Sequence, residues 1–160
     1  MRKVIFLDRD GVINDNSHYY TYNVTDFIIN DGVIEFLKIM SQKGYEFIVI
    51  TNQSGISKGV YAKADVESVH KYLISELGKS GILILEIYYC THHNDVEACL
   101  CRKPNSLLIE KSIARFNIDK TQSYFIGDQQ RDVDTAIAAN IKPILVDQNS
   151  DLNEIMNKIV

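Results

Sequence analysis

The chain has 160 residues, an apolar fraction of 46%, a charged fraction of 24% and a formal net charge of −4. These values fit one domain with a substantial core and offer no basic excess for nucleic acid or an anionic membrane. The apolar run behind Met1-Arg2-Lys3 spans about five residues and stops at Asp8, too short for a signal-peptide core or a membrane span. The expectation is a cytoplasmic monomer with neither nucleic acid nor membrane as partner.

In chain order, Lys3–Leu7 reads as a strand. Gly32–Lys43 reads as a helix, with Val33, Phe36, Leu37 and Met40 at helical spacing and Gly44 as its stop. Tyr45–Ile50 is a buried strand, Lys63–Lys79 a helix, Ile82–Tyr89 a third strand and Leu107–Phe116 a helix. Ser123–Ile126 is a strand leading to Gly127-Asp128, Asp132–Ala139 a short helix, Pro143–Val146 the last strand and Asn153–Ile159 a terminal helix. The alternation predicts an α/β fold: a three-layer, Rossmann-like parallel sheet of about five to six strands in a single domain over residues 1–160. His70, within the second helix, reads as a structural or solvent-facing residue.

Polar residues gather where these strands stop: Asp8-x-Asp10, Thr51-Asn52-Gln53-Ser54-Gly55, Cys90-Thr91-His92 and Gly127-Asp128, with Lys103 just ahead of a helix. Parallel strands put all of these ends on one edge of the sheet, where open α/β folds bind ligands. Phosphoryl transfer accounts for each residue type. Mg²⁺ held by Asp8 and Asp128 relieves the repulsion between an attacking carboxylate and an anionic ester. Lys103 and Thr51 stabilise phosphoryl oxygens, Asp8 is the nucleophile, and Asp10 moves the proton of the leaving oxygen and of water.

Asp8-x-Asp10-Gly11-Val12, Thr51-Asn52-Gln53, Lys103 and Gly127-Asp128-x-x-x-Asp132 resemble, in order, the four motifs of the haloacid dehalogenase superfamily of phosphatases. The longer stretches Arg9–Asn14, Thr51–Ile56, Tyr88–His93 and Cys101–Pro104 resemble the D-glycero-D-manno-heptose 1,7-bisphosphate phosphatases, relatives of the histidinol-phosphate phosphatases. The resemblance implies Mg²⁺ on the Asp8 side chain, the Asp10 backbone carbonyl and Asp128, with Asp132 behind them or reaching the metal through water. It implies removal of the C7 phosphate from a phosphorylated sugar. It also implies the absence of a large cap domain, and the short gaps after Gly11 and Gly55 agree. Asn52, Gln53, Ser54, Arg102 and Tyr19 are the candidates for contacting substrate.

Cys90-x-His92-x₆-Cys99-x-Cys101 offers three thiolates and an imidazole, a tetrahedral zinc set within a loop over residues 90–101. Spacing alone barely separates His92 from His93; the register of the resembled family selects His92. Structural Zn²⁺ there fixes the segment that presents Arg102 and Lys103. Two departures bear on substrate: the loop between His92 and Cys99 is short, and Gln129 stands where many heptose enzymes carry a substrate-contacting Lys. The alternatives are a histidinol-phosphate phosphatase and a receiver-like phosphoacceptor module. The position of Asp10 argues against the second, since it supports turnover.

Overall fold

The computed structural model describes all of residues 1–160. Five strands pair in parallel: β1 (Lys3–Leu7), β2 (Tyr45–Asn52), β3 (Ile84–Cys90), β4 (Tyr124–Gly127) and β5 (Lys142–Leu145). Their order is β3-β2-β1-β4-β5. Four helices cross between them: α1 (Val33–Gln42), α2 (Lys63–Gly78), α3 (Leu107–Phe116) and α4 (Gln130–Ala138).

β1 is apolar at all but its first residue because it is central and covered on both faces, as parallel strands in α/β sheets are. On one face α1 and α2 bury Val33, Phe36, Leu37 and Met40, and Val69, Leu73 and Leu77, against Ile5, Leu7, Phe47 and Val49. On the other, Leu108 and Ile109 of α3 and Ala136 of α4 cover Val4, Phe6, Ile48 and Phe125. These two apolar layers make the expected three-layer sandwich. The segments Asp8–Gly32 and Gln53–Ala62 carry no second domain, so no large cap covers the sheet edge.

Element ends shift by one or two residues from the sequence reading, and the strand count is five. The C-terminal segment differs in kind. Leu152–Lys158 winds as a 3-10 helix whose start is capped by Asp151 accepting from the Asn153 amide. Its Leu152 and Ile155 still reach the core, so packing rather than helix propensity holds it there. No helix is long and apolar enough to cross a membrane.

The chain builds β1, β2 and β3 outward, then crosses back to lay β4 against the other side of β1. The reversal lies between β1 and β4, and a crevice opens there at the carboxyl ends of the strands. Leu7 pairs with Ile126, so Asp8 and Asp128 leave the sheet side by side.

Candidate active site

The crevice is a cavity of about 400 Å³. Asp8 and Asp10 enter it from β1, Thr51, Asn52, Gln53 and Ser54 from β2, and Asp128 from β4. Arg102, His93 and Tyr19 form parts of its wall. Cα geometry makes the close approach possible: Gly11 has φ +85°, and a Cβ there would come within 2.4 Å of Asp128 Oδ2.

Asp8 is 4% exposed. Its Oδ1 accepts from the Arg9 amide at 2.7 Å and from Lys103 Nζ at 2.9 Å, which leaves Oδ2 without a protein partner. Burial pushes the Asp8 carboxyl up to about 7 against the pull of Lys103. Lys103 is itself buried, and its ammonium meets Asp8 Oδ1, Asp132 Oδ1 at 2.7 Å and the Ile50 carbonyl at 3.0 Å. Burial opposes its charge, but the two carboxylates overcome that and hold it protonated. All three ammonium hydrogens are thus engaged within the protein. Lys103 lies beneath the cavity rather than on its wall.

Asp132 serves two elements at once. Its Oδ1 meets Lys103, and its Oδ2 accepts from the Gln129 amide at 3.0 Å, closing the first turn of α4. It therefore ties the buried lysine to the start of α4. Asp128 differs: Oδ2 accepts from Gln129 Nε2 at 3.2 Å, while Oδ1 is buried without a partner. Such an orphaned carboxylate oxygen is costly unless a cation meets it. One oxygen from each of Asp8, Asp128 and Asp132 fits within a sphere of mutual distances below 4.8 Å.

Asp10 is held from three directions. Arg9 Nη2 donates to Oδ1 at 2.9 Å, Asn14 Nδ2 to the same oxygen at 3.1 Å, and Gln53 Nε2 to Oδ2 at 2.9 Å. Burial alone would raise the Asp10 carboxyl, yet Arg9 and these hydrogen bonds keep it below its ordinary value. Gln53 also donates to Thr51 Oγ1 and accepts from the Tyr61 hydroxyl at 2.8 Å, so its amide is spent inside the protein. Because Thr51 Oγ1 accepts, its own hydrogen is free to point into the cavity. Asn52 is likewise engaged: Oδ1 accepts from the Lys103 amide at 3.1 Å and Nδ2 donates to the Lys103 carbonyl at 3.3 Å. It clamps the backbone that carries the lysine.

The zinc candidates come together. Cys90 Sγ lies 3.3 Å from His92 Nδ1, 3.1 Å from Cys101 Sγ and 3.7 Å from Cys99 Sγ. Tetrahedral zinc with ordinary bond lengths places S–S pairs about 3.8 Å apart and S–N pairs about 3.6 Å apart, so the set suits a single ion. His93 turns away to its own loop, with Nδ1 accepting from the Asp95 amide at 3.1 Å. Arg102 Nη1 donates to the His92 carbonyl at 3.1 Å, tying the cation to the loop.

Three further residues brace the site, and sequence reasoning named none of them as site residues. Arg9, 0% exposed, joins Asp10 to the Thr21 carbonyl and to His70 Nε2. Of the two places expected for His70 the structural one holds: it is buried, and burial followed by Arg9 lowers it to about 3, so it accepts as the neutral ring. Tyr61 sits beneath the tyrosines of the Asp8–Gly32 segment, stacked on Tyr22 at 4.9 Å. A charged residue inside an Asp-x-Asp motif was the available signal for Arg9. Nothing local marked the other two.

Comparison with known proteins places the chain in a family. Residues 100–158 match the HAD-hydrolase-like family model. The chain is 37% identical over 144 residues to the D-glycero-alpha-D-manno-heptose-1,7-bisphosphate 7-phosphatase of Campylobacter jejuni, covering 90% of this chain and 81% of that protein. It is 35% identical to the D-glycero-beta-D-manno-heptose-1,7-bisphosphate 7-phosphatase of Haemophilus influenzae, covering 89% and 79% respectively. The crystal structure of D,D-heptose 1,7-bisphosphate phosphatase from B. bronchiseptica, complexed with magnesium and phosphate, superposes with a TM-score of 0.85 at 28% identity, covering 98% of this chain and 86% of that one. The chain therefore belongs to the haloacid-dehalogenase-like phosphatases, in the family of the D-glycero-D-manno-heptose-1,7-bisphosphate 7-phosphatases.

Proposed function

We propose that this phosphatase removes the C7 phosphate of D-glycero-D-manno-heptose 1,7-bisphosphate through an aspartyl phosphate on Asp8. The observation that carries the reading is the pairing of Asp8, whose Oδ2 has no protein partner, with the orphaned Asp128 Oδ1 at the switch point of the sheet. Asp8, the Asp10 backbone carbonyl and Asp128 are the residues that would hold Mg²⁺. Bound there, the ion neutralises charge that would otherwise repel nucleophile from ester.

The chain's own groups supply the rest. Lys103 and the Arg9 amide hold Asp8 Oδ1, which fixes the orientation of the attacking carboxylate. Asp8 forms a bond to phosphorus as the bond from phosphorus to the sugar oxygen breaks, and Asp10 protonates that oxygen. The Arg9 pair opposes protonation of Asp10, while an anionic phosphoryl group across the cavity favours it. In the second half Asp10 takes a proton from water, which attacks phosphorus and releases phosphate and the free Asp8 carboxylate. Thr51 donates its spare hydrogen to a phosphoryl oxygen. Asn52 and Gln53 act by holding Lys103 and Asp10, whereas Ser54, Arg102 and Tyr19 on the cavity wall are placed to meet the sugar end of the substrate.

Cys90, His92, Cys99 and Cys101 are proposed to hold structural zinc, which keeps the Arg102 loop in place. A cytoplasmic setting suits these ligands, since thiolates need reduced cysteines. Metal analysis of protein purified without chelator should find about one zinc per chain; fully active protein lacking zinc would remove this part of the reading.

The deciding experiment is a Mg²⁺-supplemented panel of both anomers of the heptose bisphosphate, histidinol phosphate and fructose 1,6-bisphosphate, read as kcat/KM. The heptose bisphosphate should lead by at least about 10-fold, the discrimination that one extra charged contact supports. A lead for histidinol phosphate would overturn the substrate and leave the reaction standing.

A further inference from the structure

The cavity wall carries two guanidinium groups, and they differ in their partners. Arg102 is half-buried and bonded to the His92 carbonyl. Arg131, in the first turn of α4, is exposed, and its guanidinium forms no ion pair or hydrogen bond within the protein. Its backbone carbonyl accepts from Thr135 Oγ1 at 2.7 Å. Between Asp128 and Arg131 the wall is formed by Gln129, a neutral amide that is turned onto Asp128 Oδ2.

The charge balance of the cavity makes this position informative. Asp8, Asp10 and Asp128 face inward, and the ammonium that offsets Asp8 lies beneath the floor with all its hydrogens engaged. A substrate bearing one phosphate at Asp8 and a second at its far end needs cationic donors for that second group away from the carboxylates. Only Arg102 and Arg131 among the wall residues carry a permanent positive charge. Arg102 comes from the zinc-candidate loop and Arg131 from the start of α4, so they approach from different elements.

We propose that Arg131 is a specificity residue that, with Arg102, binds the non-reacting phosphate of the sugar bisphosphate, replacing the charge that Gln129 does not supply. The proposal rests on the bisphosphate reading above. A guanidinium without a protein partner retains its whole donor fork for the ligand, and that fork matches a phosphate bidentately. Loss of such a charged pair is expected to lower affinity by about 10-fold or more.

The test is the ratio of kcat/KM on heptose 1,7-bisphosphate to that on heptose 7-phosphate, measured for the wild type, R131Q and R131K. The wild type should favour the bisphosphate, R131Q should lower the ratio by about 10-fold or more, and R131K should recover most of it. A wild-type ratio well above one that R131Q leaves unchanged, even if both rates fall together, would overturn the role of Arg131 alone. A wild-type ratio near one would overturn the bisphosphate reading and this proposal with it.

Discussion

The floor of the cavity and its rim are built on opposite terms. On the floor, Asp8, Asp10, Lys103, Asp132, Arg9 and Gln53 form one connected network in which nearly every donor has an acceptor. On the rim, Tyr19 is 84% exposed and Arg131 has no side-chain partner. A saturated network fixes atoms to fractions of an ångström, which in-line attack on phosphorus requires. An unsaturated rim leaves donors free for whatever the substrate presents. Between the two levels Asp128 Oδ1 is buried without a partner, close to the free Oδ2 of Asp8.

Substitutions at the two levels should therefore fail differently. The largest effect is expected at the nucleophile. Asp8→Asn should fold normally and lower kcat by about 10⁴-fold or more on every phosphate ester, as loss of an essential nucleophile does; turnover within about 10-fold of wild type on any ester would assign the attack elsewhere.

Next comes the support of the floor. Arg9→Met removes one side of a pair that is 0% exposed at the arginine, leaving Asp10 with uncompensated charge. The expected cost is about 3–5 kcal/mol in urea unfolding. A cost near the 0.5 kcal/mol typical of surface changes would mean that the network is not coupled to the fold.

The smallest effect concerns pH. Burial and then Arg9 hold His70 at about 3, below its usual 6.5. As pH falls through 6.5 the unfolded chain takes up a proton that folded His70 refuses until about pH 3, so stability drains away over that window. His70→Gln should flatten the fall of the urea midpoint between about pH 7 and 5, and an unchanged slope would show the folded ring accepting a proton as readily as the unfolded one.

Much of the floor was legible in the sequence because phosphoryl transfer limits residue types. Asp8, Asp10, Thr51, Lys103 and Asp128 each follow a strand or precede a helix in an order few other chemistries need. Strand order then places them together without further information. The separate duties of Asn52 and Gln53 were not legible, since an amide beside a site looks the same whether it faces substrate or clamps a neighbour. Their partners lie 51 and 43 residues away, respectively.

What the sequence by itself determined is the α/β alternation, which follows from periodicity, and the reaction class, which follows from the order and residue types of the four strand-end motifs. The tertiary structure alone decided that Arg9 and His70 are buried together, that Lys103 stands under the cavity, and that Arg131 reaches the wall. Those outcomes depend on which surfaces the crossover from β3 to β4 brings into contact, and no local pattern carries that information.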